Sequence, residues 1–167
     1  GNARSVVAFD LVRKYLEFRG FEVQYISNFT DVDDKIIKAA ANENISTKEL
    51  SERYIAAFYE DTDALNVKRA SQNPKATEFI EAMIEFIQEL VDKEFAYVSQ
   101  GDVYFRVSKS KDYAKLANNN LADLLAGASG RTDEETKLKE SPADFALWKS
   151  AKADEVSWQA PWGAGRP

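Results

Sequence analysis

The first 27 residues restrict the possible folds more than any other part of the sequence. ARSVVAFDLVRKYLEF carries apolar residues at helical spacing, and after a glycine FEVQYIS alternates apolar with polar residues. The first pattern is typical of an amphipathic helix and the second of a strand, and Gly20 suits the left-handed residue that ends a helix. Together they predict the second half of a βαβ unit in an α/β fold. The residues expected to face the core from this helix are Val6, Val7, Phe9, Leu11, Val12, Tyr15 and Leu16.

The rest of the chain predicts three further helices, a short helix around Leu121 to Leu125, and a β-rich region. One helix follows NFT, a second begins at the S-x-x-E capping box of Ser46 and Glu49, and a third follows Pro74. FAYVSQGDVYFRV predicts a β-hairpin, DFALWK a short strand with Trp148 in a core, and WQAPWGAGRP a turn-rich loop. The residues expected to face inward from the second helix are Leu50, Tyr54, Phe58 and Leu65.

Composition excludes several kinds of site. The 167 residues include no cysteine and no histidine. This rules out disulfides, thiol nucleophiles, imidazole bases and zinc sites built from sulfur or imidazole. With a net charge of -6, the chain lacks the surplus of Lys and Arg that drives nonspecific binding to nucleic acids. No apolar run approaches the roughly 18 residues of a membrane span, so we expect a soluble protein without a membrane partner.

The segment NFTDVDDK, residues 28–35, is the densest group of polar residues next to a predicted strand. Its carboxylates, Asp31, Asp33 and Asp34, could hold Mg²⁺, although a lone cluster without a second acidic motif is weak support for a metal site. They could instead cap the following helix, where its dipole favours negative charge. Thirdly, a turn at the carboxyl end of a strand in an α/β sheet is a usual place for a ligand, which Thr30 and the backbone could bind.

Several segments in order carry a resemblance to a known family. GNARSVVAFD, RKYLEFRGFEVQYISNFTDVDDKIIKAA, YIAAFYEDTDALNV, DFALWK and SWQAPWGAGRP resemble the cysteinyl-tRNA synthetase family. The resemblance runs nearly from end to end and is weakest across residues 109–142. It implies a partial Rossmann-type catalytic half of a class I synthetase, mostly helical, with an inserted α+β connective-peptide subdomain.

The resemblance also implies roles for three residues. Gly1 and Asn2 match the last two positions of the family's HIGN signature, which binds ATP, so Asn2 is the expected catalytic residue and both are expected to contact ATP. Amides at a helix N-terminus favour a phosphate, which agrees with this assignment. Thr30 matches the threonine that lines the family's cysteine pocket. Asp31, Asp33 and Asp34 are then expected to cap and support the following helix rather than to bind metal.

The resemblance further implies a domain organisation and a set of partners. Residues 1–71 are expected to be the first half of the catalytic domain without its first strand, residues 72–155 the connective-peptide insertion, and residues 156–167 a return loop toward a second half. The parent protein would use ATP with Mg²⁺ and zinc, and would act on cysteine and tRNA(Cys) in the cytoplasm. The chain itself is expected to be an internal fragment that is inactive alone, holds no cofactor and self-associates through an open sheet edge.

Three other interpretations remain open. The cysteine ligase of mycothiol biosynthesis shares the adenylation half of the family, so these residues separate it poorly from a synthetase. A stand-alone helical binding module would expose the apolar edge of an incomplete sheet. A carboxylate-based Mg²⁺ enzyme would be centred on Asp31, Asp33 and Asp34.

Overall fold

A computed structural model of the chain describes residues 3–113, 115, 137–152 and 155–167. The short helix predicted around Leu121 to Leu125 lies outside the residues that the structure describes. The chain divides into two compact units, Gly1–Phe79 and Ile80–Pro167. Helices dominate the first unit, and the second combines one helix with an antiparallel sheet. In the part of the chain that is described, no helix has the length and apolarity needed to cross a membrane.

Among its described residues the first unit contains three α-helices, and the predicted helix-end signals at Gly20, Asp33 and Ser46 are found in place. The helices are α1 (Ala3–Phe18), α2 (Asp34–Glu43) and α3 (Thr47–Ala64), and a single 3-10 turn spans Ala76–Glu78. After α1, Gly20 adopts the left-handed φ of 87°. Asp33 caps α2 by accepting from the Lys35 N–H, and Ser46 caps α3 by accepting from the Glu49 N–H. These side chains satisfy amides that have no partner inside the helix.

The strand predicted at FEVQYIS is not a continuous strand. Residues 21–25 carry no regular structure, and the run pairs in parallel only through two isolated bridges, Ile26 with Gln72 and Phe29 with Lys75. Four backbone hydrogen bonds join the two extended segments, from Ser71 to Tyr25, Ser27 to Gln72, Phe29 to Pro74 and Ala76 to Phe29. The alternating pattern therefore predicted the extended backbone correctly but not a regular strand.

The predicted burial of the apolar face of α1 is wrong for most of its residues. Phe9 is 58% exposed and Leu11 69% exposed, whereas the buried residues of the helix are Asp10 and Arg13. Arg13 donates to the Arg69 carbonyl at 2.7 Å and to Glu17 at 3.1 Å. Hydrogen bonds and ion pairs to residues 66–71 thus hold this helix, because its polar face lies against that segment.

The burial of α3 also differs from the prediction, but at fewer residues than in α1. Leu50 is 1% exposed and Phe58 is half-buried, as expected, but Tyr54 and Leu65 are 61% and 53% exposed. Leu65 is the C-terminal cap of the helix rather than a core residue. The inward face of α3 therefore includes Leu50 and the buried Thr62, whereas Tyr54 and Leu65 lie outside it.

The second unit is built on a five-stranded antiparallel sheet in the order β1-β2-β3-β5-β4. Helix α4 (Ile80–Asp92) precedes it, and the strands are β1 (Ala96–Ser99), β2 (Asp102–Phe105), β3 (Phe145–Ser150), β4 (Trp158–Ala160) and β5 (Gly163–Arg166). The predicted hairpin is confirmed, and Gln100 and Gly101 form its turn with φ of 52° and 89°. Two left-handed residues give a turn that matches the twist of the strands.

The core of the second unit lies between α4 and the sheet. Trp148 and Val103, both 0% exposed, are paired across β3 and β2 and pack with residues of α4. The burial of Trp148 is therefore as predicted, and α4 contributes Ile80 and Ile87 to the same core. The buried members of this core are Ile80, Ile87, Ala96, Val103 and Trp148.

Two features of the sheet differ from the prediction. Residues 158–166 form a hairpin of β4 and β5 where the sequence predicts only a turn-rich loop. The register shifts between Val103 and Tyr104, so these neighbours are both fully buried instead of alternating. Asp102 accepts a hydrogen bond from the Tyr104 hydroxyl at 2.8 Å, which satisfies the buried phenol.

A buried carboxylate ties the first hairpin to the chain before β3. Asp144, 2% exposed, accepts from the Tyr97 hydroxyl at 2.9 Å and from the Val107 N–H at 2.9 Å. Burial of the phenol, together with the neighbouring Asp144 carboxylate, raises the pKa of Tyr97 to about 12. Tyr97 therefore stays neutral at physiological pH and acts here as a structural hydrogen-bond donor.

The ionisation of the Asp10 carboxyl is expected to make the attachment of α1 depend on pH. Burial by itself raises the pKa of Asp10, but the ion pair with Lys14 at 2.6 Å and the Lys68 N–H bond at 3.0 Å outweigh it and lower that pKa. A lowered folded-state pKa stabilises the fold above the unfolded value of about 3.9 and loses that contribution as pH falls through the folded value. We expect hydrogen-exchange protection of the Lys68 amide to fall below about pH 3.9, beyond the intrinsic pH effect.

The comparison for this prediction is Asp10→Asn, which removes the titrating group and should abolish the pH-dependent part of the protection. Asp61→Asn, an exposed aspartate of α3, serves as the control and should leave the profile unchanged. An unaltered profile in Asp10→Asn would show that the contact does not depend on the Asp10 charge.

Candidate functional site

Residues 27–31 form the wall of a cavity in the first unit. The segment leaves the extended run and enters α2 through the N-cap Asp33. Hydrogen bonds between Phe29 and the segment 74–76 fix its backbone, at 2.9 Å from the Phe29 N–H to the Pro74 carbonyl and 3.1 Å from the Ala76 N–H to the Phe29 carbonyl. The site segment is thus supported by backbone that lies more than 40 residues later in the sequence.

The cavity has a volume of about 320 Å³ and a mainly apolar lining. Phe29 and Phe58 meet edge to face at 5.4 Å, and each also contacts Tyr59. The apolar and aromatic lining residues are Val6, Phe29, Ile36, Leu50, Tyr54, Ile55 and Phe58. The polar lining residues are Ser27, Asn28, Thr30, Asp31 and Ser51. An apolar cavity with a few polar groups on one side has the composition expected of a small-molecule site.

Thr30 is exposed and lies among the polar residues of this lining. Its Oγ1 accepts a long hydrogen bond of 3.4 Å from the Asn28 side-chain amide. A threonine hydroxyl can donate one hydrogen bond in addition to those it accepts. Thr30 therefore has both the position and the hydrogen-bonding capacity to contact a small polar ligand in the cavity.

The three aspartates of NFTDVDDK occupy three different structural positions. Asp31 accepts from the Thr77 N–H at 3.0 Å and from the Thr77 hydroxyl at 2.5 Å. Asp33 caps α2, and Asp34 is its first residue. Among the residues that are described, no group of three or more Asp and Glu side chains could hold a metal ion. The expectation that these residues cap and support α2 is confirmed for Asp33, whereas Asp31 binds a distant segment instead.

The two expected ATP-contacting residues, Gly1 and Asn2, lie outside the described residues. They come directly before α1, which begins at Ala3. The zinc site implied by the resemblance does not fit this chain, because the sequence has no cysteine or histidine to ligate the metal. Zinc prefers sulfur and imidazole ligands in such sites.

The sequence alone does not identify the side chains that hold the backbone of residues 27–31 in place. Asn73 donates to the Ser27 carbonyl at 2.7 Å and accepts from the Tyr59 hydroxyl at 2.9 Å. The Ser51 hydroxyl, on a residue that is 8% exposed, shares its proton between the Thr47 carbonyl at 2.8 Å and the Asp31 carbonyl at 3.1 Å. A polar residue directly before a proline and a lone serine in a helix give no distinctive signal, so only the folded chain reveals these contacts.

Comparison with known proteins assigns the chain to a family. A model of the "tRNA synthetases class I (C) catalytic domain" matches residues 1–167. The chain is 92% identical over 167 residues to a cysteine–tRNA ligase of Lactococcus lactis subsp. cremoris (strain MG1363), and 65% identical over the same length to one of Streptococcus pyogenes serotype M28 (strain MGAS6180). Both alignments cover 100% of this chain and 37% of the relative, so the chain spans little more than a third of their length. The chain belongs to the family of class I (C) tRNA synthetase catalytic domains.

Proposed function

We propose that this chain is part of a cysteine–tRNA ligase. Such an enzyme activates cysteine with ATP to cysteinyl-adenylate and then transfers the cysteinyl group to the 3′ end of tRNA(Cys). The observation that carries the proposal is the 92% identity to a cysteine–tRNA ligase over all 167 residues. The apolar cavity with Thr30 in its polar lining supports it, because a cysteine side chain is small and weakly polar.

The residues of this chain contribute binding and positioning. In the proposal, the Thr30 hydroxyl contacts the bound cysteine, while the aromatic wall of Phe29 and Phe58 excludes water from that side of the cavity. Asn2, as the expected catalytic residue, and Gly1 contact ATP before α1, where the helix dipole favours phosphate. In the first step the cysteine carboxylate attacks the α-phosphorus of ATP, and the bond to the bridging oxygen breaks, so that cysteinyl-adenylate forms and pyrophosphate leaves. Placing the reactants is a major part of catalysis in such a step.

The finer parts of the expectation are proposals as well. Residues 1–71 form half of a Rossmann-type domain, residues 72–155 the connective peptide and residues 156–167 the return loop. The parallel bridges of Ile26 and Phe29 have the character expected of such a half-domain, although their partners, Gln72 and Lys75, follow residue 71. When bound, Mg²⁺ accompanies ATP and offsets the charge of its phosphates. This chain supplies no zinc ligand from sulfur or imidazole. A cytoplasmic location accords with the translation role, and the exposed apolar residues of α1 support self-association of the isolated chain.

The role of Thr30 is testable in a full-length enzyme. Residues 1–167 replace the matching segment of the Lactococcus lactis relative, and cysteine-dependent ATP–pyrophosphate exchange is measured. We expect the chimera to be active, and Thr30→Val to raise the KM for cysteine about fivefold, since one hydrogen bond contributes about 1 kcal/mol. The KM for ATP should not change.

Thr62→Val is the matched control for Thr30→Val. Thr62 is a buried threonine of α3 whose hydroxyl bonds the Phe58 carbonyl of its own helix, and it does not line the cavity. Thr62→Val should leave the KM for cysteine and the KM for ATP unchanged. An inactive chimera would contradict the proposed function, and an unchanged cysteine KM in Thr30→Val would limit Thr30 to a structural role.

A further inference from the structure

Asp31 is bound through both of its carboxylate oxygens to one residue of a distant segment. The Thr77 N–H donates to Oδ1 at 3.0 Å, and the Thr77 hydroxyl donates to Oδ2 at 2.5 Å. Two separate bonds to one carboxylate fix its orientation as well as its position. Thr77 lies in the 3-10 turn Ala76–Glu78, directly after the segment that pairs with Phe29.

Both sequence neighbours of Thr30 are therefore held by the same four-residue segment, residues 74–77. Phe29 bonds Pro74 and Ala76 through its backbone, and Asp31 bonds Thr77 through its side chain. The Ser51 hydroxyl supports the Asp31 carbonyl from α3 at 3.1 Å. The polar contact that Thr30 itself makes among the described residues is the long one to Asn28. The placement of the Thr30 hydroxyl thus depends on how firmly Phe29 and Asp31 are held.

We infer that Thr77 is a positioning residue for substrate binding, acting through Asp31 on Thr30. This inference rests on the proposed function, in which Thr30 contacts cysteine. The hydroxyl bond of Thr77 is charge-assisted, so its loss loosens the residue directly after Thr30. The effect falls on binding of the cysteine substrate and leaves ATP binding unchanged, because the Asp31–Thr77 contact holds the polar lining of the cavity.

The test uses the full-length chimera with Thr77→Val, which removes the hydroxyl but preserves the shape of the side chain. We expect the cysteine KM to rise about three- to fivefold, with kcat and the ATP KM within about twofold of the parent. Thr77→Ser keeps the hydroxyl and should restore the parent KM. Asp31→Asn, which removes the charge from the same contact, should raise the cysteine KM in the same way.

The double variant Thr30→Val/Thr77→Val separates positioning from general destabilisation. If Thr77 acts through Thr30, the double variant has the KM of Thr30→Val alone, because no hydroxyl remains to be positioned. A merely structural role instead gives effects that multiply. Thr62→Val again serves as the control, and thermal unfolding verifies that each variant is folded.

The outcomes distinguish this inference from the proposed function. If Thr30→Val raises the cysteine KM but neither Thr77→Val nor Asp31→Asn changes it, the inference is overturned and the role of Thr30 stands. Multiplying effects in the double variant overturn it as well. If Thr30→Val does not change the cysteine KM, Thr30 does not contact cysteine, and Thr77 has no substrate contact to position.

Discussion

Trp148→Ala is expected to lower the free energy of unfolding of the Ile80–Pro167 unit by about 3–5 kcal/mol. Trp148 is 0% exposed, packs in the core between α4 and the sheet, and meets Trp162 edge to face at 5.9 Å. Alanine leaves a cavity that the paired strands cannot fill, so the lost transfer energy and the lost packing add. Urea unfolding followed by circular dichroism measures the change.

Two comparisons sharpen this result. Trp148→Phe should cost much less than Trp148→Ala, because the indole Nε1 is buried without a hydrogen-bond partner among the described residues and phenylalanine has no such group. Phe86→Ala changes a 62% exposed aromatic of α4 and should alter stability by no more than about 0.5 kcal/mol. Equal losses in Trp148→Ala and Phe86→Ala would contradict the placement of the core.

Gly165→Ala is expected to destabilise the same unit by about 3 kcal/mol for the opposite reason, overpacking. A Cβ at this position would collide with the Lys149 carbonyl oxygen and with the Nε1 and Cδ1 atoms of Trp148. Gly165 is paired with Ser150 on β3 and with Trp158 on β4, so the backbone oxygen cannot move without separating strands. Chemical unfolding should show a lower midpoint.

The neighbouring residue supplies the control for Gly165→Ala. Ala164 is exposed in the same strand, on the face opposite to Gly165. Ala164→Val should therefore change stability by no more than about 0.5 kcal/mol. If Gly165→Ala were as stable as Ala164→Val, the close approach of β5 to β3 would be incorrect.

The sequence predicts local structure in this chain better than it predicts burial. The caps at Asp33 and Ser46, the left-handed Gly20 and the turn at Gly101 depend on neighbouring residues, and all are found in the structure. β4 and β5 were not predicted because three- and four-residue strands with two glycines lack an alternating pattern. The pairing of β5 with β3 is a tertiary effect that no local signal contains.

The candidate site likewise contains one residue that the sequence identifies and contacts that it does not. Thr30 was identified through a family resemblance carried by contiguous residues, and it lies in the lining of the cavity. The contact of Asp31 with Thr77 joins residues 46 apart in sequence, and neither residue type is unusual where it occurs. Such contacts follow from the path of the whole chain, so periodicity and capping rules cannot predict them.

The burial pattern of α1 has a consequence for how the first unit responds to ionic strength. Its buried side chains are Asp10 and Arg13, and its ion pairs include those of Lys68 and Arg13 with Glu17. In about 1 M salt the screening length falls to roughly 3 Å, which weakens the partly exposed pair of Lys68 with Glu17 more than the buried contacts of Arg13. Apolar contacts such as those of Leu50 stay in place. Concentrated salt therefore loosens the first helix before the third.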